Sequence, residues 1–185
     1  AVLLMAPRHI ERVESVEAMI RARGLAVHRR STIGQGGALQ PIGTRVLLLD
    51  SRGELPAIYR EAVVAFVGGT LVPIGGHNLL EPAQWAKPVL FGPHTDHCAE
   101  IADLLIQAGG GYRVSHQEDL TRQVVALFSD DEQRERMGRS ARQVVEQNQG
   151  ALEQTLEAIE KLLMQQQDSS GAPRAERSLP LMAER

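Results

Sequence analysis

The sequence predicts an α/β fold: a parallel sheet with helices on both faces. Three observations point there. Short apolar runs alternate with segments of helical periodicity along most of the chain. The run Val46-Leu47-Leu48-Leu49 is continuously apolar, as a strand covered on both sides should be. The polar and glycine-rich clusters Pro7–His9, Asp50–Glu54, Gly68–Glu81 and Gly92–His97 each follow an expected strand, where parallel sheets gather their ligands.

The elements follow in order. Ala1–Ala6 reads as a strand that Pro7 ends. Glu11–Arg23 reads as a helix, with Val13, Val16, Met19 and Ile20 on one side and Gly24 as the stop. Leu25–Arg30 is a second strand, and Ser31–Gly43, with four glycines and a proline, a surface loop. Arg45–Asp50 is the third strand, Gly53–Glu61 a short helix and Val63–Val67 the fourth strand. A helix beginning near Asn78 or Glu81 leads to a fifth strand at Lys87–Phe91. His97–Ala108 is a helix, Tyr112–Val114 a short strand, and Leu120–Phe128 and Asp131–Asn148 are helices. Ala151–Gln166 is a final helix with Leu152, Leu156, Ile159 and Leu163 on the side expected to pack on the sheet. Residues 1–166 then form one domain, and 167–185, polar and turn-rich, a flexible tail.

At 185 residues the chain has room for one α/β domain. A net charge of -3 argues against a dedicated nucleic-acid module, and 3% aromatic residues leave few stacking platforms. One Cys excludes an internal disulfide framework and a cysteine-cluster metal site. No apolar run approaches the ~20 residues of a membrane helix. His94 and His97 lie three apart, but no cysteine ligand set accompanies them, and no metal is expected.

The richest stretch is Val67–Pro93, with the double glycines Gly68-Gly69 and Gly75-Gly76. Glycines let backbone N–H groups approach an anion, and a helix N-terminus just downstream adds positive potential. This is phosphate-site chemistry, yet neither a Walker A motif nor a G-x-G-x-x-G fingerprint is present. Asn78-x-x-Glu81 fits a capping box; a helix start at Glu81, with Pro82 in its first position, fits equally well. A Glu81 carboxylate not needed as a cap can accept two hydrogen bonds from the vicinal hydroxyls of a ribose or sugar. Arg8 offers a planar fork for phosphate or a face for a base, and His9 stands beside it. His77 either donates to a phosphate or completes the turn. Asp50 and Glu54 fit caps of the short helix that follows, and His28-Arg29-Arg30 fits a solvated strand end.

These motifs carry a resemblance. APRHIER at Ala6–Arg12, FVGGTLVPIGGHNLLEPA at Phe66–Ala83 and KPVLFGPHTDH at Lys87–His97 resemble the 3-deoxy-D-manno-octulosonic acid (Kdo) transferases of Gram-negative lipopolysaccharide synthesis. MGRSARQVVEQNQGALEQTL at Met137–Leu156 is similar to their closing helices, so the resemblance covers about Ala1 to Leu163.

The resemblance implies a Rossmann-like sheet forming one half of a GT-B glycosyltransferase. It implies that this half holds the donor CMP-Kdo, with no other cofactor. Pro7 and Arg8 would line the cytidine and phosphate side, with Arg8 stabilising the leaving group and His9 nearby. Gly68, Gly69 and Thr70 would lie near phosphate or Kdo. Gly75, Gly76, His77 and Asn78 would meet the phosphate region, and Glu81 the ribose hydroxyls. His97 and Cys98 stand where the family often shows an Asn and an aromatic residue. The other half of the enzyme would carry the general base, the acceptor site for a lipid A precursor and the contact with the cytoplasmic face of the inner membrane. This chain alone is then expected to bind donor without turnover. Two other readings share the fold: a UDP-sugar transferase or epimerase, and a non-catalytic nucleotide-binding module.

Overall fold

The computed structural model describes residues 1–33 and 45–169, with side chains omitted at 151–158 and 165–169. Six strands alternate with helices. Strand β1 (Leu3–Met5) leads through a 3-10 turn at Ile10–Arg12 into α1 (Val13–Ala22). Then come β2 (Val27–Arg29), β3 (Val46–Leu48), α2 (Leu55–Tyr59), β4 (Ala65–Val67) and α3 (Leu80–Ala83). The series closes with β5 (Val89–Phe91), α4 (Ala99–Gln107), β6 (Gly111–Arg113), α5 (Gln117–Ser129) and α6 (Asp131–Ser169). Each expected strand is present; the first five are trimmed to three-residue cores, and the sixth shifts by one residue from Tyr112–Val114 to Gly111–Arg113. Of the expected loop Ser31–Gly43, the start joins a 3-10 turn at Arg30–Thr32, and 34–43 lie outside the described residues.

Every strand pair is parallel, as the apolar runs require. The hydrogen bonds divide the strands into two three-stranded sheets, ordered β1-β3-β2 and β4-β5-β6. Met5 stands opposite Leu48 in the first, and Val67 opposite Phe91 in the second. The central strands β3 and β5 are buried throughout.

Two units emerge from the contacts, Ala1–Val144 and Val145–Arg185. In the first, Val13 and Ile20 of α1 pack with Val27, Val46 and Leu48 into a core joined by Met5, Ile10 and Val16. Met19, expected on that face, is exposed instead. Around β5 the chain approaches itself closely at glycines. A Cβ on Gly138 would lie 2.1 Å from the Ala86 carbonyl oxygen, and one on Gly110 2.4 Å from the Ala141 amide. Helix α5 starts three residues before the expected Leu120. The His116 ring accepts the Asp119 amide, while the Asp119 carboxylate accepts the Ser115 amide, closing a reciprocal cap one turn earlier.

Helix α6 corrects two expectations. Asp131–Asn148 and Ala151–Gln166 are one helix, because Gly150 continues it; a mid-helix glycine costs only about 1 kcal/mol against alanine. The helix also continues past Gln166, where the last helix was expected to end, and reaches Ser169, while 170–185 lie outside the described residues. In the second unit, Ile159, Leu162, Leu163 and Met164 are exposed, so the expected packing side of the last turns faces solvent. The side chains of Leu152 and Leu156 lie outside the described residues. Among the described residues no helix is long and apolar enough to cross a membrane.

Candidate functional site

The site assembles where the carboxyl end of β1 meets the loop after β4. Pro7 is half-buried, and Arg8 and His9 are exposed just past β1. Beyond β4 the glycine-rich segment doubles back, so that the Gly76 amide donates to the Gly69 carbonyl at 3.1 Å. Gly75 and Gly76 are buried, with φ of 91° and 79°. Both conformations suit only glycine. A Cβ on Gly75 would stand 2.5 Å from the His97 ring, and one on Gly76 2.8 Å from the Thr70 methyl. This pair therefore serves the turn and its packing. Gly68 differs: it is exposed, with open space where its Cβ would be. Gly69 is half-buried with φ of 74°, and a Cβ there would only touch the His77 ring, at 3.5 Å.

Thr70, expected near phosphate or Kdo, belongs to the interior of the turn. It is completely buried, and its hydroxyl donates to the Val67 carbonyl at 2.6 Å and accepts the Gly92 amide at 2.8 Å. The residue lies beneath the turn and ties it to the loop after β5. Gly92 permits this, since a Cβ there would collide with the Thr70 carbonyl oxygen at 2.2 Å. The same two loops meet again where His94 N–H donates to Thr70 and His97 N–H to Gly75. The Cys98 thiol reaches the His77 carbonyl at 3.6 Å, and burial, with Asp96 adding to it, pushes that thiol's pKa up. Cys98 is thus a packing thiol, and His97 a neighbour of the turn.

His77 is the electrostatic centre. Burial lowers its pKa first, the Arg8 charge lowers it further, and Glu81 opposes them; His9 and His97 add smaller downward pushes. The imidazole is therefore neutral at pH 7 and able to donate or accept a hydrogen bond. The same interactions show that Arg8, His9, His77, Glu81 and His97, spread over 90 positions of sequence, share one electrostatic neighbourhood.

The Asn78–Glu81 region resolves the two helix starts. Helix α3 begins between them, at Leu80, with Leu79 at the cap position and no side-chain cap. Asn78 Oδ1 accepts the Leu80 amide at 3.0 Å, closing a local turn. Pro82 falls in the first turn, where its missing N–H has no intrahelical acceptor to lose. The half-buried Glu81 carboxylate caps nothing, and its bond from Asn78 Nδ2 is long, at 3.5 Å. It keeps acceptor capacity for two hydroxyls. Helix α2 adjoins α3, and its Tyr59, not among the candidates read from the sequence, feels the Glu81 charge. Burial pushes the Tyr59 phenol up to about 12, and the Glu81 carboxylate contributes. Its relation to Glu81 is tertiary, and no local motif signals it.

The remaining charged candidates serve the scaffold. Asp50 accepts the Ser31 amide and hydroxyl; burial raises its pKa, but these bonds outweigh that and hold the carboxyl below its usual range. Glu54 accepts from the Ser51 hydroxyl and pairs with Arg30 at 2.9 Å. Neither Asp50 nor Glu54 caps α2 through its side chain. Arg29 pairs with Glu17 at 2.6 Å, so His28-Arg29-Arg30 is a charge-compensated edge. Among the described residues no group of three or more His, Cys, Asp or Glu is placed to hold a metal ion.

What converges is an exposed guanidinium, a neutral imidazole, an open glycine backbone and an available carboxylate. Together they suit a ligand with one anionic end and one hydroxyl-bearing end.

Comparison with known proteins sharpens this. The chain is 40% identical over 162 residues to a 3-deoxy-D-manno-octulosonic acid transferase of Haemophilus influenzae, covering 87% of this chain and 37% of that protein. It is 36% identical over 161 residues to the same enzyme of Bordetella pertussis, again covering 87% and 37%. The chain thus spans little more than a third of the curated relatives it matches. Among solved structures, the C-terminal CMP-Kdo binding domain of WaaA from Acinetobacter baumannii superposes with a TM-score of 0.71 at 32% identity, covering 78% of this chain and 73% of that one. No protein-family model matches. The α/β architecture, the ordered motifs and these similarities agree: the chain belongs to the 3-deoxy-D-manno-octulosonic acid transferase family and corresponds to the carboxyl-terminal domain of its members.

Proposed function

We propose that this chain is the donor-binding domain of a Kdo transferase and seats CMP-Kdo at the Arg8–His77–Glu81 cluster. The observation that carries the reading is the likeness to a solved CMP-Kdo binding domain; the Arg8 and Glu81 charges, which both act on His77, fit it. Pro7 and Arg8 face the cytidine and phosphate, and His9 flanks them. Gly68 and Gly69 give backbone access to the phosphate or Kdo carboxylate. Gly75 and Gly76 hold the turn that aims His77 and Asn78 at the phosphate, and Glu81 accepts the ribose hydroxyls.

In the transfer, the bond between Kdo and the CMP phosphate breaks and a hydroxyl of a lipid A precursor takes its place. The departing phosphate gains negative charge, which Arg8 stabilises, and His77 can donate to it without adding charge. The base that takes the acceptor's proton, the acceptor site and the contact with the cytoplasmic face of the inner membrane belong to the remainder of the transferase.

Calorimetric titration with CMP and with UMP tests the donor reading. CMP should bind more tightly. Equal binding would point to a UDP-sugar enzyme or an unselective nucleotide module, and binding of neither would overturn the reading for this domain.

A further inference from the structure

Around the carboxyl ends of β2 and β3 the charges are matched to one another. Asp50 accepts the Ser31 amide and hydroxyl, Glu54 accepts from Ser51 and pairs with Arg30, and Arg29 pairs with Glu17. Arg52, in the loop between β3 and α2, is the exception. It is exposed, and its side chain has no hydrogen bond or ion pair among the described residues. The loop does not need it. Ser51 and Glu54 bond each other across it, and Gly53 turns the chain with φ of 83°. The result is a fixed loop that carries an unengaged guanidinium.

Two contacts set this loop beside the site. Strand β3 is the hydrogen-bonded neighbour of β1, with Met5 opposite Leu48, and the Leu49 amide still donates to the Met5 carbonyl at 2.8 Å. The two strands therefore leave the sheet side by side, one into Pro7-Arg8 and the other into Ser51-Arg52. At its far end the loop enters α2, which packs against α3, the helix of Glu81. Helix α2 has five residues and is only about 8 Å long. Arg52 thus stands between the β1 end and the helix pair that carries Glu81.

A nucleotide with its phosphate at Arg8 and its ribose on Glu81 has one polar part left to place, the base. Arginine offers N–H donors in a planar fork and no acceptor. The pairing edge of cytosine presents two adjacent acceptors, O2 and N3. Uracil keeps O2, but its N3 carries a hydrogen. A guanidinium in the plane of the base makes two parallel hydrogen bonds to cytosine and sets N–H against N–H on uracil. Forcing two donors together without an acceptor is a strong means of rejecting the wrong ligand.

We propose that Arg52 is a specificity-determining residue of the donor site, its guanidinium donating to O2 and N3 of cytosine. The inference rests on the CMP-Kdo reading above and adds to it the group that tells cytidine from uridine nucleotides. The Kdo carboxylate is the other acceptor that the donor offers. Kdo hangs from the phosphate, at the opposite end of the donor from the base, whereas Arg52 lies toward α2 and α3, on the ribose side.

Calorimetric titration of the chain and of Arg52→Met with CMP and UMP tests this. Met keeps the length of the side chain and removes its donors, and because Arg52 bonds to nothing the melting temperature should not change. The unsubstituted chain should prefer CMP. Arg52→Met should weaken CMP by about 10- to 100-fold and leave UMP within about twofold, so that the preference collapses. Equal weakening of both nucleotides would assign Arg52 to the phosphate and overturn the proposal. An unchanged CMP affinity would overturn it as well, and would leave the Kdo carboxylate as the partner. If the unsubstituted chain binds neither nucleotide, or both alike, the donor reading itself falls. A second probe leaves the protein intact: 3-deaza-CMP, in which C–H replaces N3. It should bind the unsubstituted chain about 10-fold more weakly than CMP, and Arg52→Met as well as CMP does. The same penalty in both proteins would overturn the contact.

Discussion

The Thr70 hydroxyl accepts the Gly92 amide at 2.8 Å, joining the loop after β4 to the loop after β5 inside a fully buried contact. Thr70→Val keeps the shape and removes the hydroxyl. It leaves the Gly92 N–H without its acceptor and should cost about 1–3 kcal/mol. For a chain of this size each kcal/mol corresponds to a melting-temperature drop of about 2–4 °C. Thr70→Ser keeps both hydrogen bonds and should lose less. Calorimetric melts of the three proteins check the order.

Gly75 and His97 form a second test pair. Gly75→Ala forces a side chain into φ of 91° and pushes its Cβ to 2.5 Å from the His97 ring. The backbone strain alone should cost about 1–3 kcal/mol. In a His97→Ala background the clash disappears and the strain remains. A double-mutant cycle by urea unfolding should therefore show a smaller loss in that background; equal losses would mean that the ring moves aside freely.

His77 gives the site a pH signature. Its folded pKa lies below its ordinary value of 6.5, so the unfolded chain takes up the proton first as pH falls. The stability it contributes is full above that value and is lost as pH drops below it toward the folded pKa. Arg8→Ala should raise the His77 pKa, and Glu81→Gln should lower it further, since their charges push in opposite directions. Imidazole NMR titration reads both shifts.

Glu81 and Arg8 separate binding from folding. Glu81 caps no helix, so Glu81→Ala should weaken CMP binding by about 10- to 100-fold, the loss of one or two charge-assisted hydrogen bonds, with little change in melting temperature. Arg8→Ala should weaken CMP more than cytidine. An equal loss for both ligands in calorimetry would assign Arg8 to the base instead of the phosphate.

Gly150 lies inside α6 with open space at its Cβ position. Gly150→Ala should stabilise that helix by about 0.5–1 kcal/mol, seen as greater helical circular dichroism at the same temperature.

Much of this architecture is legible in the sequence, for identifiable reasons. Val46–Leu49 reads as an interior strand, and of the glycines in Val67–Pro93, Gly69, Gly75 and Gly76 take positive φ while Gly68 stands open. Arg8, His77 and Glu81 stand out as candidates because each follows a strand end, where parallel sheets place their ligands. The burial of Thr70 is not legible, since whether a residue after a strand turns in or out depends on the neighbouring loop, here Gly92. Tyr59 was hidden because only folding brings α2 and its phenol within reach of the Glu81 charge. The division of the strands into two sheets was hidden most deeply, because Leu-Leu-Met and Ala-Phe-Val have the composition of strands with two neighbours. The end expected near Asn148 failed because a glycine's cost is small beside a long helix's continuing hydrogen bonds.

The double fastening of the glycine turn has a mechanical consequence. Thr70 to Gly92, His94 to Thr70 and His97 to Gly75 make the two loops behave as one stiff plate. Neither loop can fold over a bound nucleotide without tearing the other. Whatever binds against that plate meets a surface already set by folding, held in place by hydrogen bonds that no ligand has to make.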